Sequence, residues 1–286
     1  MGEVLLDRLP LGLFLGGAPF NVAYHLHRLG EPAVMASRVG EDRLGVEALR
    51  RMECKGMSPE LMQRDDTDPT GFVEVTLDTE GVPEYTIVRP AAWDRISRTD
   101  ALVERVSNAR ALVYGSLAQR SPTSRHTIQQ LCQADTLRVF DVNLRPPFDD
   151  RAVVAQGLEH GDLIKLNEDE LDKLAVWFDW TADEPAEQIK ALSAAFGCRT
   201  VCVTRGAAGA VLMHDGEWTE HPGMDVDVVD TVGAGDAFLA TLLSGLLQDL
   251  APAEVLTRAN RMGAYLATCL GATPEYDPET VLETSF

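Results

Sequence analysis

The sequence predicts an α/β fold on a mostly parallel sheet, and three observations carry that prediction. Short apolar runs alternate with amphipathic segments along the chain. No repeat, low-complexity run or long linker interrupts them, and the apolar residues within the runs are largely contiguous. Contiguous apolar runs suit strands covered by helices on both faces, which favours parallel pairing. At 286 residues the chain is expected to form one large unit with a small appendage, residues 1–286 making a single domain.

In order, core strands are expected at residues 33–39, 111–115, 138–142, 162–166 and 200–204, each closed by Gly, Asn or a polar turn. Helices are expected at 21–29, 42–52, 122–133, 168–178, 185–196, 235–247 and 252–270, with Ser121 before Pro122 as a start signal. Residues 72–77 and 84–89 alternate like half-exposed strands joined through Asp78-Thr79-Glu80-Gly81, and predict a projecting β-hairpin. Residues 225–229 read as a strand leading into the helix at 235.

Composition narrows the function classes. A formal charge of −20 disfavours a nucleic-acid or anionic membrane partner, since both draw on clustered Lys and Arg. The five cysteines form no CxxC pair and suit reduced thiols in a cytoplasm. Glu3 precedes, and Asp7, Arg8 and Pro10 interrupt, the stretch 4–15 that superficially looks like a signal peptide, and Leu6 stands where a myristoylation signal wants Ser or Thr. No run approaches the roughly 20 apolar residues of a membrane span.

The densest chemistry lies in Asp230-Thr231-Val232-Gly233-Ala234-Gly235-Asp236-Ala237-Phe238. Gly233, Ala234 and Gly235 sit at a helix entry, where unsatisfied N–H groups and the helix dipole favour an anion. Asp236 follows in the first turn, placed to take a proton from an attacking hydroxyl, a role worth roughly 100- to 10,000-fold in rate. An ordinary Gly-rich turn with a capping Asp is the other reading of the same residues.

That string resembles the C-terminal signature of the ribokinase-like (PfkB) carbohydrate kinases. Gly16-Gly17-Ala18-Pro19-Phe20-Asn21-Val22-Ala23, followed by Gly30 and Gly40, resembles the family's N-terminal signature. The resemblance implies a three-layer αβα core with a mostly parallel sheet and a small β-hairpin or β-sheet lid, here about 8–15 and 69–92. It implies phosphoryl transfer from ATP to a sugar hydroxyl, with Asp236 as base and the Gly233, Ala234 and Gly235 amides as anion hole.

Further segments extend the resemblance over nearly the whole chain. Gly2-Glu3-Val4-Leu5-Leu6-Asp7 looks like the family's first strand, with Asp7 on the sugar hydroxyls beside Gly16, Gly17 and Asn21. The chain starts almost on that strand, a trimmed start for the family. Phe140-Asp141-Val142-Asn143-Leu144-Arg145 resembles the segment facing the phosphates, with Arg145 as the donor and Asn143 on the nucleotide side. Asn167 and Glu170 match an Asn-x-x-Glu element implied to hold Mg²⁺ directly or through water, an acidic capped helix start being the alternative.

Thr204, Gly206 and Gly209 look like the nucleotide-side turn, and Asn260 stands where the family meets adenine. Asp230 implies either a monovalent cation such as K⁺ or turn capping. Arg89, late in the hairpin, is a substrate contact or a solvent-facing lid residue, and the family leaves room for a homodimer through the lid.

Gly-Gly-Ala-Pro before Asn most resembles fructokinases, so fructose is the expected substrate, with ketodeoxygluconate and ribose next and nucleosides behind. Two other classes compete. A non-catalytic sugar or nucleotide sensor has no need of Asp236, Arg145 and Glu170 together. A dinucleotide oxidoreductase needs GxGxxG near the first strand, which is missing, as is the GxxxxGK[ST] of P-loop enzymes.

Overall fold

The computed structural model describes residues 1–9, 12–77, 83–182 and 184–284. The strands are β1 (Leu5–Leu9), β2 (Gly12–Gly16), β3 (Ala36–Gly40), β4 (Leu61–Asp65), β5 (Gly71–Leu77), β6 (Pro83–Ile87), β7 (Ala111–Gly115), β8 (Leu137–Asp141), β9 (Leu163–Asn167), β10 (Thr200–Thr204), β11 (Ala210–His214) and β12 (Glu217–His221). The helices are α1 (Ala18–Arg28), α2 (Arg43–Cys54), α3 (Asp100–Ser107), α4 (Pro122–Leu131), α5 (Arg151–His160), α6 (Glu168–Trp177), α7 (Pro185–Phe196), α8 (Ala234–Leu247), α9 (Pro252–Ala267) and α10 (Pro278–Glu283).

The main sheet has the order β12-β11-β10-β9-β8-β7, parallel from β7 through β10 and antiparallel at β11 and β12. Successive side chains on these strands enter opposite layers, because a strand's side-chain period is two. Val139, Leu163 and Cys202 pack with Val22, Leu239, Leu243 and Leu256 of α1, α8 and α9. Their neighbours Phe140, Ile164 and Val203 pack with Leu102, Ile128, Leu158, Leu171 and Leu192 of α3 to α7. Burial on both faces explains the continuous apolar runs, and the expected three-layer αβα core is present.

A second sheet, β2-β1-β5-β6, stands apart, and β3 pairs with β4 in a third. β1 pairs antiparallel with β2 and parallel with β5, so Asp7 lies opposite Phe14 on one side and Val73 on the other. The 72–89 hairpin is present as β5 and β6. Its expected connection, Asp78 to Gly81, lies outside the described residues.

Several boundaries differ from expectation. The first strand starts at Leu5 and belongs to the small sheet, because residues before it run between β7 and β3 instead. Residues 225–229 form no strand: β12 already ends the main sheet, Val228 and Val229 are exposed, and Val229 N bonds only to the end of α9 at Ala267 O, 2.8 Å away. α1 begins at Ala18, with Pro19 in its first turn where the missing N–H costs nothing. The β11/β12 hairpin was not expected, and neither were β4, α3, α5 and α10. Among the described residues no helix is long and apolar enough to cross a membrane.

Candidate active site

α8 is apolar on all sides and buried along most of its length, which fixes its N-terminus firmly against the sheet's C-terminal edge. Its N-cap, Gly233, has φ 80°, and a Cβ there would stand 2.6 Å from the Ala272 Cβ, so glycine alone fits. Ala234 N bonds to Thr231 O at 3.2 Å and Asp236 N to Gly233 O at 3.1 Å, closing the turn that presents Asp236. Burial pushes the Asp236 carboxyl up to about 6. Asp141 adds to this, while Asn21, Lys165 and Arg145 oppose it.

Asn21, on α1, donates from Nδ2 to Asp236 Oδ2 at 2.8 Å. Its Oδ1 is buried without a hydrogen-bond partner among the described residues. Sequence alone put Asn21 on a substrate and did not foresee this bond, which arises from packing α1 against α8. The turn before α1 is tight: Gly17 has φ 109°, and a Cβ would lie 2.5 Å from Glu3 O. A Cβ on Gly16 would meet Asp7 Oδ2 at 2.8 Å, so these glycines bring the Asp7 carboxylate against the backbone. Burial pushes Asp7 up to about 6 and Glu3 up to about 7. Glu3 had no role in the sequence reading. Its only signal was a carboxylate at the head of an apolar run.

Arg145 is exposed, donates from Nη1 to Leu144 O at 2.9 Å, and lowers the pKa of both Glu3 and Asp236. Arg89 lies with its guanidinium carbon 5.5 Å from the centre of the Phe148 ring, at the root of the hairpin.

Beneath the α8 turn, Lys165 Nζ pairs with Asp141 Oδ1 at 3.2 Å, both side chains buried. Lys165 Nζ also stands 3.2 Å from where a Gly235 Cβ would be. Burial opposes the lysine's charge, but Asp141, Glu170 and Asp236 together hold its pKa above the usual lysine value. The signal for Lys165 was available: it is the single cation inside the apolar run of β9.

Asn167 and Glu170 cap each other: Asn167 Oδ1 accepts Glu170 N at 2.8 Å, and Glu170 Oε2 accepts Asn167 N at 2.9 Å. Glu170 Oε1 accepts Leu144 N at 2.7 Å, tying α6 to the segment that carries Arg145. Among the described residues no group of three or more His, Cys, Asp or Glu could cage a metal. Asp230 likewise accepts Val232 N and Gly271 N, each at 3.0 Å, which is the capping reading of that residue. Asp141 Oδ2 is buried with no hydrogen-bond partner among the described residues.

On the other side of the α8 turn lies a cavity of about 260 Å³ lined by Thr204, Gly206, Gly209 and Asn260, with Gly235 and Gly263. Four of the five residues read from sequence as nucleotide-side therefore gather here. Asn143 does not; with φ 37° it lines a smaller hollow beside Glu3, Ser116 and Asp141. Asn260 Nδ2 bonds to Leu256 O of its own helix at 2.7 Å.

Residues 11–279 match the model of the pfkB family carbohydrate kinases. The chain belongs to that family. It is a phosphotransferase with a sugar hydroxyl as acceptor. The fructokinase of Escherichia coli is 31% identical, the match covering 95% of this chain and 93% of the relative. Solved structures agree in fold. Fructokinase with bound ATP from Xylella fastidiosa matches with a TM-score of 0.85 at 24% identity, over 99% of this chain and 96% of that one. Fructokinase from Vibrio cholerae O395, in its fructose, ADP and calcium ion bound form, matches with 0.81 at 24% identity, over 99% and 97%. The resemblance read from the signatures is therefore correct, and the ribokinase-like core is shared with these kinases.

Proposed function

We propose that this kinase transfers the γ-phosphate of ATP to a primary hydroxyl of fructose. The observation that carries the reading is the Asn21 and Asp236 pair between the Asp7 side and the 260 Å³ cavity, which puts a carboxylate with pKa about 6 where an acceptor hydroxyl and a phosphate would meet. Asp236 takes the hydroxyl proton as the oxygen attacks, and its raised pKa suits a base working near neutral pH. Asp7 and the unpartnered Asn21 Oδ1 accept from other sugar hydroxyls, which holds the reacting oxygen in line.

Charge on the transferring group meets the positive end of α8 at Gly233, Ala234 and Gly235, together with Arg145 and the buried Lys165. The adenine side occupies the cavity beside Asn260. A divalent cation, taken to be Mg²⁺, would be carried by the ATP phosphates and held through its waters by Asp141 and Glu170, with Asn167 orienting Glu170. Mg²⁺ favours that mode, keeping most of its waters and using one or two carboxylates. Asp230, with both oxygens on backbone N–H groups, would brace the turn next to any K⁺ site. The four-stranded sheet, about 8–15 and 69–92, would cover the sugar, with Arg89 at its hinge.

Fructose is preferred over ketodeoxygluconate, ribose and nucleosides because the relative matching over almost the full chain is a fructokinase. A coupled ADP-release assay over fructose, ribose, ketodeoxygluconate and adenosine tests this. Fructose should give the highest kcat/KM; a higher value for any other acceptor would reassign the substrate, and no turnover of any of the four would place the acceptor outside this set.

A further inference from the structure

Between α9 and α10, residues 271–276 run as irregular chain against the turn that opens α8. Gly271 N bonds to Asp230 Oδ2 at 3.0 Å. Ala272 then packs directly on Gly233: a Cβ added to that glycine would stand 2.7 Å from Ala272 Cα and 3.0 Å from Ala272 O. The position of Gly233, and with it the amides of Ala234 and Gly235, therefore depends on where this strap lies.

A strap outside helix and sheet needs other partners for its carbonyls. Among the described residues those partners are side chains, from α1 and the end of α2. Tyr24 OH donates to Pro274 O at 2.5 Å, Lys55 Nζ to Thr273 O at 2.7 Å and Arg28 Nη2 to Tyr276 O, while His25 Nε2 lies 2.9 Å from Ala272 O. His25 differs from the other three. Its side chain is wholly buried, and the carbonyl that it reaches is the one that touches Gly233. It also follows Asn21 by four residues, on the same face of α1. One helix face thus holds Asp236 through Asn21 and the back of the turn through His25.

A carbonyl can only accept, so Nε2 carries the proton. Burial pushes the ring's pKa down to about 4, against the Ala272 bond, so near neutral pH the imidazole is neutral and Nδ1 is an acceptor. Tyr276 OH, 2.8 Å from Nδ1, is therefore the donor there, and it fixes the tautomer that Ala272 O requires.

We infer that His25 is a positioning residue for phosphoryl transfer: its Nε2–H holds Ala272 O, and through it the strap, against Gly233, so that the Gly233 to Gly235 amides stay where charge builds on the transferring group. This role rests on the reading of that turn as the anion hole. An anion hole works most in the transition state, so losing the brace should fall on kcat and spare the sugar KM.

The test compares His25→Asn and His25→Gln with the parent, well below each thermal midpoint, on whichever acceptor the parent turns over fastest. A glutamine amide nitrogen reaches about where Nε2 lies and can still donate to Ala272 O; asparagine is too short. The Asn variant should lose at least roughly tenfold in kcat with the sugar KM within about twofold, and the Gln variant should recover most of that loss. A normal kcat in His25→Asn, whatever its midpoint, would make His25 an ordinary core histidine and overturn the inference, as would an equal loss in both variants. In the parent, nitrogen NMR of the imidazole should place the proton on Nε2; a proton on Nδ1 would overturn the inference without any variant. Gly233→Ala, strained at φ 80° and crowded by Ala272, separates the two readings. A lowered kcat there beside a normal one in His25→Asn overturns the role of His25 alone, whereas a normal kcat in Gly233→Ala overturns the anion hole and the role of His25 with it.

Discussion

Asn21 Nδ2 donates a 2.8 Å hydrogen bond to Asp236 Oδ2 across 215 positions of sequence, joining the helix after the N-terminal glycine turn to the helix after the anion-hole turn. The bond stabilises the ionised form of Asp236 against the burial that raises its pKa. Removing it with Asn21→Ala should push that pKa further up. A base must be ionised, so the acid limb of the kcat/KM profile should move to higher pH. The sugar KM should rise while the ATP KM changes little. An unmoved acid limb would mean that the bond does not act on the base.

Asp236→Asn should keep nucleotide binding and lose at least roughly 100-fold in turnover. It should also stabilise the fold in a pH-dependent way. The folded pKa of about 6 lies above the ordinary aspartate value of 3.8, so the native state binds the extra proton between those values. The ionised carboxylate therefore weakens folding in full above about pH 6 and not at all below about pH 4. The Asn variant should accordingly melt higher than the parent at pH 8, with the gain vanishing toward pH 4. Equal gains at both pH values would show that the buried charge is not the cause.

What could be read from sequence divides along physical lines. β8, β9 and β10 were legible because burial on both faces leaves contiguous apolar runs. β12, Glu217–His221, was not: it is a mostly polar edge strand whose partner, not its own composition, makes it a strand. Residues 225–229 failed in the opposite sense: an alternating pattern becomes a strand only where another strand pairs with it, and here Val229 N bonds to the end of α9 instead. In the site, Gly233 to Asp236 were legible because the helix entry and its carboxylate are contiguous. The Asn21 to Asp236 bond and the Lys165 to Asp141 pair join separate elements, so only packing reveals them. Arg89 was assigned by its place late in the hairpin and Asn143 by its position in a motif, and neither backbone pattern nor composition fixed where they would point.

The Lys165 and Asp141 pair should separate stability from catalysis. Lys165→Met leaves Asp141 buried without its partner and should cost about 3–5 kcal/mol of stability. Adding Asp141→Leu removes the stranded charge and should recover most of that loss. Turnover should stay low in the double variant, which lacks both the cation under Gly235 and the Asp141 carboxylate proposed to hold Mg²⁺. If turnover returns with stability, the lysine is a structural cation and takes no part in meeting phosphoryl charge.

The cavity beside α8 can be tested at Gly263, whose added Cβ would meet only ordinary contacts, 3.5 Å to Ala234 O and 3.6 Å to Phe238 Cβ. Gly263→Ala should therefore behave nearly as the parent, apart from a gain in helix propensity. Gly263→Leu extends beyond those contacts into the space lined by Gly206, Gly209 and Asn260. It should raise the ATP KM by roughly tenfold or more with the sugar KM within about twofold, the signature of lost binding for one substrate alone. The thermal midpoint serves as the control, since the leucine enters open space and need not displace the core. A matching rise in both KM values at an unchanged midpoint would place the nucleotide elsewhere than beside Asn260.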